Sequence, residues 1–435
     1  MDASSPAATA RNWSVGAREL ATLGLVFVTL DLLFLPMFHL GGIPWKPSFL
    51  LVLLYLPQVA KTRDHRRLLA IAAAMIVLFL LGTLTFWLYQ GFQLERETTL
   101  TYLAIWVLVP CGFAFGFGRF RAGSTFLIPL IVVYMAINVY LWLFFDSATW
   151  LTRFYGLGTR VEEGLFAYRN MGIMFNPNVS AMGIILLTVF LLIGYERGVL
   201  GLQSKRGMVI ALIAACITLL TFASRGSLVL FALMTAFFLR RRIFSPNLVR
   251  IGVPVFIALV VIANLSTQIP VVAERANQVL SLPNDFRHTF DLSEEANQAN
   301  NLMRPFFKAQ IAIERFMYSP VWGTGMEVVR QHEPFHDVNF HDDALVILVA
   351  QGLLGFIAYA ALLRRSYLIS IYALVPFFNG WVNSFVTLPS HLLFFSIMLG
   401  YHYGVRYHAS AYLRKKGAMM YELGIDPKAS VETSS

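Results

Sequence analysis

Arginines interrupt an otherwise apolar chain at a few polar breaks, and a histidine-rich stretch follows them. Arg225 sits in Ala-Ser-Arg-Gly-Ser (223–227), between two hydrophobic stretches with almost no loop. Arg169 opens Arg-Asn-Met-Gly-Ile-Met-Phe-Asn-Pro-Asn (169–178). Arg304, Lys308 and Arg315 are spaced by 4 and then 7 residues, so a helix puts them on one face. A guanidinium binds phosphate oxygens through two parallel hydrogen bonds and keeps its charge. Such cations suit a diphosphate leaving group whose negative charge grows as its bond breaks. His332, His336 and His341 then stand among Glu333, Asp337, Asp342 and Asp343. A histidine can take a proton from an attacking hydroxyl near neutral pH. The spacing matches no zinc signature, so neither a metal nor a cofactor is expected.

Each group also has a plainer reading. Arg225 could snorkel to headgroups. The basic face at 304–318 could simply be solvated, and the histidines could be surface residues. Asn176 and Asn178, beside Pro177, suit helix caps or a tight turn. Asp31 lies within an apolar stretch, where an acid is a functional candidate by default. It could equally glue helices together or pair with an arginine.

These residues are set in a membrane protein. The chain has 435 residues, 57% hydrophobic and 13% charged, where a soluble domain carries roughly 25% charged residues. Mean hydropathy is +0.64. The two cysteines, Cys111 and Cys216, lie in apolar stretches and form no disulfide framework or CxxC motif. A span needs about 20 apolar residues. The stretches 19–40, 47–61, 68–90, 99–118, 124–145, 178–195, 208–224, 226–240, 250–267, 343–363, 366–388 and 390–406 qualify as spans, 47–61 being short. The expected class is an all-α polytopic membrane protein of about twelve transmembrane helices.

Charge orients it. With the N-terminus in the cytoplasm, about 22 of the 34 basic residues fall on inside segments, and both termini are cytoplasmic. The net charge of +10 is thereby explained by sorting across a bilayer, and no nucleic acid partner is expected. The first span reads as a signal anchor. The division is a tail at 1–18, helices one to nine over 19–267, a large outside loop at 268–342, helices ten to twelve over 343–406, and a tail at 407–435. Both tails read as disordered. A loop that long is usually functional or disordered. The helical periodicity of 304–318, ended by Pro320, favours a structured loop.

Together the motifs resemble the O-antigen ligase/polymerase superfamily of bacterial inner-membrane glycosyltransferases. Arg169, Gly172, Asn176, Pro177 and Asn178 are similar to its R-x-x-G-x-x-x-N-P-N stretch. Ser224-Arg225-Gly226 is similar to its S-R-G motif. Arg304, then Ser319-Pro320 and Gly323-Thr324-Gly325, resembles R…(S/D)-P…G-x-G. His341 with Gly352 and Gly355 resembles H-N…G-L-x-G, although Asp342 stands where the family often has Asn. The resemblance covers roughly 165–360.

It implies a GT-C-like fold with a periplasmic active site. The implied donor is an O-antigen glycan on undecaprenyl diphosphate, and the implied acceptor is a sugar of lipid A–core. On that reading Arg225, Arg304, Arg169 and Lys308 hold the diphosphate. His341 is the base, and transfer inverts the anomeric centre without metal or ATP. The chain lacks the extra C-terminal domain of the protein-glycosylating relatives, which favours a ligase. The alternatives are an O-antigen polymerase, a protein O-oligosaccharyltransferase, or a transporter. A transporter would carry repeated halves and midplane polar residues. Here the polar residues gather at one surface.

Overall fold

The structure, a computed structural model, describes residues 6–36, 38–40, 43–60, 62–90, 96–144, 147–155, 172–174, 176–196, 205–222, 224–243, 312–325, 343–378 and 388–422. In chain order the helices are α1 (Pro6–Leu33), α2 (Pro47–Leu53), α3 (Arg63–Gln90), α4 (Arg96–Phe117), α5 (Leu127–Leu143), α6 (Thr149–Phe154), α7 (Pro177–Glu196), α8 (Lys205–Phe222) and α9 (Arg225–Ile243). They continue as α10 (312–318), α11 (Asp343–Ile369) and α12 (Pro389–Glu422). One antiparallel hairpin, Phe38–Leu40 with Ile43–Trp45, departs from the all-helical expectation.

Among the described residues, four helical stretches are long and apolar enough to cross a membrane: Asp64–Thr85, Leu100–Phe117, Pro177–Glu196 and Asp343–Ile369. Three shorter apolar helices, Leu127–Leu143, Arg206–Phe222 and Gly226–Leu239, match further stretches read from the sequence. The chain is thus a multi-pass membrane protein.

Several spans differ from expectation. The first helix ends at Leu33, and the first strand of the hairpin takes Phe38–Leu40 at the end of 19–40. The stretch 47–61 is not one helix, because α2 has 7 residues and a separate 3-10 turn covers Leu56–Gln58. A seven-residue helix rises only about 10 Å. The stretch 366–388 is also broken: α11 runs on to Ile369, then come a 3-10 turn at Ile371–Leu374 and one helical turn at Val375–Phe378. Neither tail is wholly irregular, since α1 starts at Pro6 and α12 reaches Glu422. The stretch 250–267 lies outside the described residues.

Helices α4 and α12 pack most closely. Each carries two glycines four residues apart, Gly112 and Gly116 on α4, Gly400 and Gly404 on α12. A Cβ on Gly116 would sit 1.8 Å from the Ile397 carbonyl oxygen, and one on Gly400 would sit 2.1 Å from that of Phe113. Without side chains in the seam the backbones meet, the packing membrane helices favour when lipid is as apolar as leucine. An aromatic ladder, Tyr359–Phe377–Phe395–Phe190, then ties α11 through the following turn to α12 and α7.

The basic loops converge. Arg119 donates to the Tyr55 hydroxyl at 2.8 Å and lies against Gly24. The Gly123 amide donates to Thr22 Oγ1 at 3.1 Å. Asp64 takes Arg365 at 3.2 Å and also accepts from the Tyr403 hydroxyl. Segments distant in sequence, among them those of Arg119 and Arg365, are therefore tied together by these contacts.

Candidate active site

The first motif is a strap leading into α7. Asn176 Oδ1 accepts from the amides of Asn178 at 2.9 Å and Val179 at 3.4 Å, so Asn176 caps the helix that Pro177 begins. Upstream, the Ile173 amide donates to Asn138 Oδ1 at 3.2 Å and the Met174 amide to Ser180 Oγ at 3.2 Å. Tyr134 of α5 donates to the Ser180 carbonyl at 2.9 Å. Gly172 has a φ of 68°, and a Cβ there would fall 2.2 Å from Ser180 Oγ and 2.9 Å from the Phe222 ring. Phe222 is the last residue of α8, so the strap touches the end of the helix preceding Ser224-Arg225-Gly226. At that junction Ser224 Oγ and Ser227 Oγ share a hydrogen bond at 3.0 Å, and Arg225 opens α9.

The third and fourth motifs join through backbone. Inside α11, Gly352 has φ 65° and ψ −164°, which breaks the helix. Asp343 Oδ2 comes within 3.5 Å of the Tyr359 hydroxyl, sixteen residues on. In a straight helix those residues would be about 24 Å apart, so the apolar run is continuous but the span is bent sharply. The segment after α10 fills the break. Thr324 and Gly325 amides donate to the Val349 and Ala350 carbonyls at 2.9 and 3.0 Å. Leu353 and Leu354 amides donate to the Pro320 and Val321 carbonyls at 2.8 and 3.1 Å. Freed backbone groups at membrane depth must find partners within the protein. Gly323, at φ 80°, is needed because a Cβ would lie 2.3 Å from the Gln351 amide nitrogen.

Gln351, fully buried, locks the break to its neighbours. Its Nε2 donates to the Met75 carbonyl of α3 at 2.5 Å, and its Oε1 accepts from the Tyr102 hydroxyl of α4 at 3.2 Å. Trp322 Nε1 donates to Thr85 Oγ1 at 2.8 Å. Gln351 and Tyr102 carry no sequence signal beyond a lone amide and a lone phenol in apolar runs.

Two charge readings are settled locally. Asp31 is buried; its Oδ2 accepts from the Ser48 amide at 2.7 Å. Lys46 is buried too, and donates to the carbonyls of Leu35 at 2.6 Å and Asp31. Asp31 therefore ties the end of α1 to the start of α2, its carboxylate accepting from the Ser48 amide and its carbonyl from Lys46. His391 on α12 is buried beside Gly183 of α7, another intramembrane ionisable group that sequence reading passed over. Arg315 on α10 is half-buried, so the basic face there is not simply solvated. Desolvation holds its guanidinium below the ordinary value, opposed by Tyr318 and Glu314.

Arg169, Arg304, Lys308 and His341 lie outside the described residues, as does the side chain of Arg225. The described residues thus join the first motif to the second and the third to the fourth. Among them no cluster of three His, Cys, Asp or Glu could hold a metal.

Residues 208–360 match the family Wzy_C, described as O-Antigen ligase. That region holds Ser224-Arg225-Gly226 and the whole of the α10–α11 splice, and over these residues it bears out the superfamily resemblance. Comparison with curated proteins found no match.

Proposed function

We propose that the protein is an O-antigen ligase of the bacterial inner membrane. It transfers a glycan from undecaprenyl diphosphate to a lipid A–core sugar on the periplasmic face. The observation that carries this reading is the joining of the Ser319–Gly325 and Gly352–Gly355 motifs into one splice inside the matched family region. That splice fixes the end of α10, downstream of Arg304, against the Gly352 break in α11, the helix that follows His341. The donor diphosphate lies among Arg225, Arg304, Arg169 and Lys308, whose cations stabilise charge developing on the leaving group. His341 takes the proton of the acceptor hydroxyl as that oxygen attacks the anomeric carbon. The carbon–oxygen bond to the diphosphate breaks on the opposite face, inverting the centre. No metal is invoked, because guanidinium groups supply the positive charge.

Polymerase and protein glycosyltransferase readings share the donor and differ in acceptor. The test is transfer by the purified protein from undecaprenyl-diphosphate glycan in the presence of EDTA, with and without lipid A–core. A product that requires lipid A–core supports the ligase. Chains that lengthen without it support a polymerase.

A further inference from the structure

We propose that α10, with Trp322 behind it, is an interfacial helix whose apolar face docks into the outer leaflet of the bilayer. The sequence places this helix in a loop, yet large apolar side chains stand on its free face, with Glu314 exposed among them. Ala312 and Ser319, seven residues apart, are buried on the seated side. Ile313 and Met317, four apart, are 59% and 67% exposed on the other side. Tyr318, Val321 and Trp322 extend the same exposed surface.

The occupant follows from what adjoins it. Trp322 is tied to Thr85, near the end of α3. Only a third of the α3 window is buried, and Leu81, Leu84 and Leu88 are exposed around that bond. The apolar face of α10 therefore continues the lipid-facing side of a transmembrane helix. The tether leaves little freedom, because Pro320, two residues past the helix, is bonded to Leu353 within the α11 break. Tyr and Trp at this boundary suit the headgroup level, with rings in the apolar layer and polar atoms outward. Amphipathic helices bind at this depth by burying such a face.

This inference rests on the multi-pass reading and not on the transfer chemistry, so it stands or falls apart from the proposed activity. The test uses the intact wild-type chain in phosphatidylcholine–phosphatidylglycerol vesicles doped with a diazirine-bearing phosphatidylcholine. Photolysis is followed by mass spectrometry of peptides covering 312–325, beside hydroxyl-radical footprinting from the water phase. The expected result is lipid adducts at Ile313, Met317 and Trp322 severalfold above those at Glu314, with Met317 shielded from the radical. Oxidation of Met317 without lipid adducts would overturn the proposal in favour of a water-facing helix. Shielding from both reagents would overturn it in favour of a protein cover.

Discussion

The amide of Leu353 donates to the carbonyl of Pro320, at 2.8 Å, so a residue from a loop completes a membrane helix that Gly352 has broken. Four such bonds close the gap. An unsatisfied backbone group in hydrocarbon costs several kcal/mol, so loop and helix are stable only together.

Gly352→Ala should therefore damage both. At φ 65° and ψ −164° Gly352 occupies a region essentially closed to residues with a Cβ, at a cost of about 1–3 kcal/mol. That Cβ would also meet the Val321 carbonyl carbon at 2.5 Å. We expect a lower thermal midpoint in detergent, by several degrees, and a severalfold loss of glycan transfer. A variant with wild-type midpoint and rate would mean that the splice does not hold the site.

Gln351 bridges three helices, so Gln351→Leu should cost about 1–3 kcal/mol by stranding the Tyr102 phenol. Combining it with Tyr102→Phe should recover about 1 kcal/mol, since both partners of one bond are then gone. Thermal unfolding of the two single variants and the double variant reads this coupling. Strict additivity would show that the 3.2 Å contact contributes nothing.

The Asp31–Lys46 pair predicts a different pattern. Lys46→Met removes the donor to the Leu35 and Asp31 carbonyls, which costs about 1–3 kcal/mol. Adding Asp31→Asn should restore part of the folded yield, because no bare charge then remains. If the double variant folds no better than Lys46→Met alone, the two charges are not coupled.

The α4–α12 seam allows no side chain at its glycines. Gly116→Leu should abolish the monodisperse folded fraction in size-exclusion chromatography. Gly16→Leu serves as its control, because a Cβ on Gly16 meets nothing within 4 Å. Equal yields from both would contradict the close approach.

Hydropathy alone located most helices, because an apolar run with basic flanks has few other uses in lipid. It failed where helices break. The residues 343–363 read as one unbroken span, since Gly352 looks like any glycine and the bend depends on a partner segment distant in the chain. Likewise 47–61 is apolar enough to span, but its backbone alternates short helix and 3-10 turn. Asn176 was legible as a cap because Asn-Pro carries that signal locally. The burial of Lys46 gave no sequence signal, because it depends on the carbonyls of Asp31 and Leu35 near the end of α1. Gln351, Tyr102 and His391 gave no pattern at all, because their roles exist only once α3, α4, α7 and α12 surround them.

The central claim is that Arg225 and His341 carry a metal-free transfer onto lipid A–core. The most direct measurement is in-vitro transfer by purified wild-type, Arg225→Ala and His341→Ala proteins, with EDTA, donor and acceptor supplied. The account predicts a glycan ladder on lipid A–core from the wild type that survives EDTA, and at least a hundredfold loss in each variant, of the order expected for an acid–base or electrostatic group. A ladder of wild-type intensity from either variant, or one that EDTA abolishes, would contradict it.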